Sequence, residues 1–177
     1  MKAIDVARYL LDEHGTMTAY KLQKLLYYAQ AWNLVANGSA LFDDEIMAWG
    51  HGPVVPEVFS EHAGFRNVSP CEVRGDVSAV PVDVRCQIEE FIRPYLAMSG
   101  DELVALTHSE RPWSDAYPGT GSISNSVISS EAMSDYYTWL YNSSEAQRSD
   151  HHVPWLPERS RIVLSPEEYD WLESVLA

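Results

Sequence analysis

The residues of this chain best equipped for proton or metal chemistry are His51, His108 and Glu110. His108 and Glu110 stand two apart in Thr-His-Ser-Glu-Arg-Pro-Trp, and a His and a Glu so spaced can share a metal ion or pass a proton. Two ligands are too few for a closed zinc site. A metal-assisted hydrolase would need His51 to converge on them from a distant part of the chain. His51 lies in Gly50-His51-Gly52-Pro53, where a rigid turn could hold a base, but no Ser or Cys stands beside it in sequence as a nucleophile. The preferred reading is structural. His108 and Glu110 cap a helix end and tie it to the interior, Trp113 anchors the core, and His51 supports its loop or touches a partner. His151-His152, beside Pro154-Trp155, reads as a solvated pair. P-loop, GxGxxG, GxSxG and HExxH patterns are all missing, so neither catalysis nor a cofactor or resident metal is expected.

A second constellation is polar rather than reactive. Gln23, Tyr27 and Gln30 follow one another at +4 and +3, which places them along one side of a helix. They form either an internal hydrogen-bond network or one edge of a partner groove; buried, their polar groups would need partners.

The elements that position these residues are mostly helices. Ala3, Ile4, Ala7, Leu10 and Leu11 fall at helical spacing, which predicts a helix over 2–14. A second helix over about 18–36 starts at Thr18 as N-cap and ends at Asn37-Gly38. It is apolar nearly all round, with only Lys21 and Lys24 charged, so the other elements should wrap it. Ile46–Trp49 reads as a short strand. Gly50–Pro53 reads as an irregular loop, and a third helix runs from Val54 to His62 with Pro56 in its first turn. The segment 63–81 reads as loop, with a short strand suggested by Val77, Val80 and Val82. Val84, Ile88, Phe91, Ile92 and Tyr95 mark a fourth helix that Pro94 should kink or end. Ser99–Glu102 is a capping box for a helix reaching Thr107. The segment 118–127 reads as loop, with Ile123 on a short strand, and Ser129 or Ser130 caps a helix carrying Met133, Tyr136, Tyr137 and Leu140. The segment 142–158 reads as linker. Ile162-Val163-Leu164 reads as extended, and Ser165-Pro166-Glu167-Glu168 opens a last helix.

With 177 residues, 46% of them apolar, the chain can bury its own core. No apolar run approaches the roughly 18–20 residues that span a bilayer, and the N-terminus lacks a signal-peptide core. A cytoplasmic protein is expected. Its formal charge is −14, with no basic cluster, which argues against nucleic acid and anionic membranes and in favour of a basic protein partner. Cys71 and Cys86 read as free thiols.

One stretch is distinctive as a whole: KLQKLLYYAQAWNLVANGSALFDDEIMAWGHGPVVPEVF, followed later by ELVALTHSERPWSDAY and ISSEAMSDYY. These runs, in this order, resemble the Panacea domain of SocA-type antitoxins and phage-associated GepA-like proteins, over about residues 2–141. The resemblance implies a mostly helical domain that neutralises a toxin by direct binding. It also implies toxins of several unrelated folds, many of them shutting down translation, and in part of the family delivery of the toxin to a protease. No catalytic activity of the domain's own is implied. Many members carry a helix-turn-helix before the domain; this chain opens directly with it, so DNA-binding autoregulation is not expected.

The expected architecture is therefore mainly α, with minor short strands: a compact helical domain over 1–142 wrapped around the central helix, then a linker and a strand-helix appendage over 143–177. The expected function is neutralisation of a basic, translation-targeting protein toxin. Proteolytic delivery and the hydrolase built on His51, His108 and Glu110 stand as alternatives. Candidate partner contacts are Trp49, His51 and Pro53 in the loop, Gln23, Tyr27 and Gln30 on the helix, and Trp155 in the tail, because aromatic side chains are common interface anchors.

Overall fold

The computed structural model describes residues 1–156 and 164–176. Helix α1 (Ala3–His14) leads through β1 (Met17–Thr18) into α2 (Ala19–Asn37). Strands β2 (Met47–Trp49) and β3 (Gly52–Val54) follow, then α3 (Pro56–Glu61), β4 (Asn67–Val68), α4 (Val82–Ile92), α5 (Gly100–His108) and α6 (Arg111–Ala116). Helices α7 (Ser130–Asn142), α8 (Glu145–Asp150) and α9 (Pro166–Leu176) complete the described chain. The fold is mainly α with two small antiparallel ribbons, β1–β4 and β2–β3.

Helix α2 is the axis. Every residue from 22 to 35 is buried, and α5, α7, α4 and α1 pack around it. Its ends are set locally: the Thr18 hydroxyl accepts from the Lys21 amide at 3.2 Å, and Gly38 closes the helix in the left-handed conformation with φ of 65°. Around its middle lies an aromatic core. Tyr28 stacks on Tyr95 with ring centroids 3.9 Å apart, Trp32 donates to the Tyr95 hydroxyl at 2.8 Å, and Tyr137 meets the edges of Tyr27, Tyr28 and Trp32. Each fully buried large side chain of this kind contributes about 1.5–3 kcal/mol of apolar burial.

The Gly-His-Gly-Pro stretch differs from its reading as an irregular loop. Only Gly50 and His51 turn; Gly52 and Pro53 belong to β3, in register Ala48↔Pro53 and Trp49↔Gly52. Proline is tolerated there because the Ala48 amide points away from β3, donating to the Ser126 carbonyl at 2.8 Å. That position therefore asks no N–H of its partner.

Other differences follow the same local logic. Helix α6 was not anticipated, although Pro112 at its first turn is a standard start, and α8 lies inside the stretch read as linker. Val77–Ala79 is a single 3-10 turn rather than a strand, and the strand of that region is β4. Val127, not Ile123, bridges to β2 at Met47. Pro94 ends α4, whose chain continues as a 3-10 turn over Arg93–Tyr95. Ser165 and Glu168 make the reciprocal capping contacts that open α9, which packs on α7. The extended reading of Ile162 and Val163 lies outside the described residues. Leu156 is fully buried in the main core. Cys71 and Cys86 are exposed free thiols, and among the described residues no helix is long and apolar enough to cross a membrane.

Candidate functional site

Among the described residues one lysine and one glutamate are wholly buried, Lys24 and Glu110. Lys24 sits in the first turns of α2, where an all-round apolar helix carries its charge inward. Its Nζ donates to the Pro53 carbonyl at 3.1 Å, an oxygen that faces away from β2 for the same reason that the proline fits. Among the described residues no carboxylate pairs with it, and its Nζ lies 6.0 Å from the centre of the Tyr20 ring. Burial alone pushes its pKa down from 10.5 to about 7. Gly52 makes room for the lysine. With φ of 95°, it holds a backbone shape that favours glycine, and a Cβ there would lie 2.6 Å from Lys24 Cε and 2.9 Å from Thr107 Oγ1.

Lys24 lines a cavity of about 280 Å³. The first turn of α2 supplies Tyr20 and Gln23 to its wall, the β2–β3 hairpin supplies Trp49, His51 and Val54, α3 supplies Phe59, and the loop before α7 supplies Ile123. A second cavity of about 500 Å³ shares Ala19, Tyr20 and Phe59 with the first and is walled by Phe65, Arg66 and Asp101. Together they form one groove along the open end of α2, flanked by exposed Ile123 (65%) and Phe65 (52%).

His51 is exposed at the hairpin turn with its ring 5.1 Å from Tyr20. His108 stacks on Trp113 at 3.8 Å; its Nε2 is buried without a partner. Burial, then the nearby Lys24 and His51, hold the pKa of His108 below its usual value. Trp49 is half-buried, packed edge-on against Phe59 and donating to the Ser124 carbonyl at 3.1 Å. Its own carbonyl accepts from Trp113 Nε1 at 2.9 Å, so Trp113 ties α6 to the hairpin. Pro53 is buried beneath the groove.

Gln23, Tyr27 and Gln30 are 3%, 0% and 2% exposed and present no surface seam. Gln23 Oε1 accepts from the Val55 amide at 2.9 Å and its Nε2 meets His62 Nε2 at 3.2 Å, joining α2 to both ends of α3. Gln30 Oε1 accepts from the amides of Leu41 and Phe42, and its Nε2 donates back to the Phe42 carbonyl. Tyr27 packs in the aromatic core. The long interior polar side chains bind backbone that could not otherwise be satisfied.

Glu110 does not cap a helix with its side chain. Its carboxylate accepts from the Tyr137 hydroxyl at 2.6 Å and the Tyr28 hydroxyl at 3.1 Å. His151, read as solvated, reaches its other oxygen at 3.3 Å. Burial and this carboxylate push Tyr28 and Tyr137 well above the usual tyrosine pKa. Glu110 therefore faces the aromatic core, away from His51, and the three groups of the hydrolase reading do not converge. Among the described residues no cluster of three or more His, Cys, Asp or Glu could hold a metal ion. Trp155 is 69% exposed and stands apart from the groove, beside Pro94, Tyr141 and Arg148.

Comparison with known families places this architecture. Residues 22–114, just over half of the chain, match the antitoxin SocA-like, Panacea domain, and the chain belongs to that family. The matched span contains α2 from Leu22 onward, the hairpin, Lys24, His108 and Glu110. No curated protein and no solved structure matches the chain.

Proposed function

We propose that this protein is the antitoxin of a bacterial or phage toxin–antitoxin pair, acting in the cytoplasm by binding its cognate protein toxin directly. Family membership supports the antitoxin role. The observation that carries the binding reading is the groove between α2, the hairpin and α3. It combines an enclosed apolar floor with exposed aromatic and aliphatic flanks, the combination from which interface hot spots are made. Trp49 and His51 are its candidate contacts, and Pro53 acts from beneath by holding Lys24. The charge of −14 suits a basic toxin surface, with steering by long-range attraction and occlusion of a basic active site or substrate groove as the mode of action. Residues 1–142 form the neutralising domain and 143–177 an appendage, whose helix α9 packs on α7.

Co-expression with the product of the adjacent gene tests this. That product alone should arrest growth, this chain should restore it, and the two should copurify. A non-toxic neighbour, or a toxic one neither bound nor relieved, overturns the proposal. Toxin half-life in the rescued cells should be unchanged if occlusion is the mechanism; accelerated turnover would mean delivery to a protease.

A further inference from the structure

We propose that the Lys24 cavity is an acceptor site for a carboxylate, carried beside an apolar residue on the bound partner. The inference rests on the antitoxin reading and adds what the partner must place in the groove. Among the described residues two basic side chains line this cavity, Lys24 from α2 and His51 from the hairpin turn, and His108 at the end of α5 is near enough to both for their charges to lower its pKa. Facing Lys24 from the same elements are the Tyr20 ring, the Pro53 carbonyl and Thr107. Asp101, in the second cavity, is the single carboxylate on the walls of either cavity among the described residues. An ammonium has three donors, and one reaches Pro53.

Buried charge without a counter-charge is costly, and an entering anion removes that cost. The depressed pKa of Lys24 agrees with this. Elsewhere the surface is acidic, −14 in all, so a partner's Asp or Glu is repelled from most of it and accepted here. Such a residue sets the register of docking, while the apolar walls of Trp49, Phe59 and Ile123 take its neighbour.

Phenylacetate and its uncharged analogue phenylacetamide, titrated into the full chain and followed by amide NMR shifts, test the site. Phenylacetate should move signals of residues lining the cavity and bind about tenfold or more tightly than the amide, the range of a charge-assisted hydrogen bond. Its binding should tighten from about pH 9 to about pH 6, as the anion favours the ammonium form. Lys24→Met should abolish the preference for phenylacetate while leaving phenylacetamide binding, which also reports that the cavity has stayed folded. Should that variant not fold, the wild-type preference and its pH dependence decide alone. Equal affinity for the two compounds, no binding of phenylacetate, or a preference that survives in Lys24→Met overturns the inference. Those outcomes leave the antitoxin reading intact, since growth rescue by the unaltered chain is scored separately.

Discussion

Lys24 and Tyr28 are one turn apart on the same helix, yet Lys24 and the buried Glu110 that Tyr28 meets are treated in opposite ways. The Glu110 carboxylate, met by the Tyr28 hydroxyl, also receives Tyr137 and faces His151. Its charge is answered by side chains from α2, α7 and the segment after α8 before anything binds. Lys24 has one backbone carbonyl and opens on a cavity. A satisfied buried charge holds a fold together and has nothing left to offer a partner. An unsatisfied one costs stability, and that cost is recoverable by a ligand.

The largest expected effect lies on the satisfied side. Glu110→Ala strands two tyrosine hydroxyls and the His151 contact in the interior, and should lower unfolding free energy by about 3–5 kcal/mol in urea titration. A loss below about 1 kcal/mol would mean that the network is not what holds α2, α6 and α7 together.

Lys24→Met should have the opposite sign. Between about 7 and 10.5 the unfolded chain holds a proton that folded Lys24 has released. On this group's account stability therefore rises with pH across that window, and below it the full burial penalty stands. The variant should be more stable than the parent by on the order of 2–4 kcal/mol near pH 6, with the gain fading toward pH 10. A variant less stable at pH 6, or a gain that does not change with pH, would place Lys24 with Glu110 as a satisfied group.

Gly52→Ala sharpens the contrast, because it disturbs the lysine without removing it. The positive φ and the 2.6 Å approach to Lys24 Cε together should cost about 1–3 kcal/mol. Part of that should return when Lys24 is shortened to Ala in the same chain; full additivity would mean that the two residues do not crowd each other.

The smallest stability effects belong to the exposed residues. Ile123→Asp and Trp155→Ala should each leave stability within about 0.5 kcal/mol. Ile123→Asp should weaken toxin binding measured by calorimetry, and Trp155→Ala should not. The reverse result would move the contact surface from the groove to the tail side.

Much of the fold was legible because its signals are local. Thr18, Gly38, Ser99, Ser129 and Ser165 set their helix ends within a few residues, and the apolar count of α2 forecast its burial. The site was less legible because its partners are remote. Lys24 looked like an ordinary charge on a helix, although burial on all sides already implied a buried lysine; only Pro53, Gly52 and Thr107, from elsewhere in the chain, show what it meets. Glu110 looked like a cap because its true partners stand at 28, 137 and 151. The hairpin was hidden by its own composition, since glycine and proline suggest irregular backbone unless the proline falls where no N–H is needed. Gln23 and Gln30 use their amides in internal hydrogen bonds, and Tyr27 packs in the aromatic core, which no count along the helix could distinguish from a surface seam.

The contrast between the two buried charges rests most directly on the protonation of Lys24 in the free protein. Its side chain can be followed by the carbon shift at Cε in lysine-labelled protein across a pH titration, assigned by comparison with Lys24→Met. A midpoint near 7 is expected, with signals of the cavity walls moving in step. A midpoint at or above the ordinary 10.5 would contradict it, and would mean that the amine is solvated or already paired.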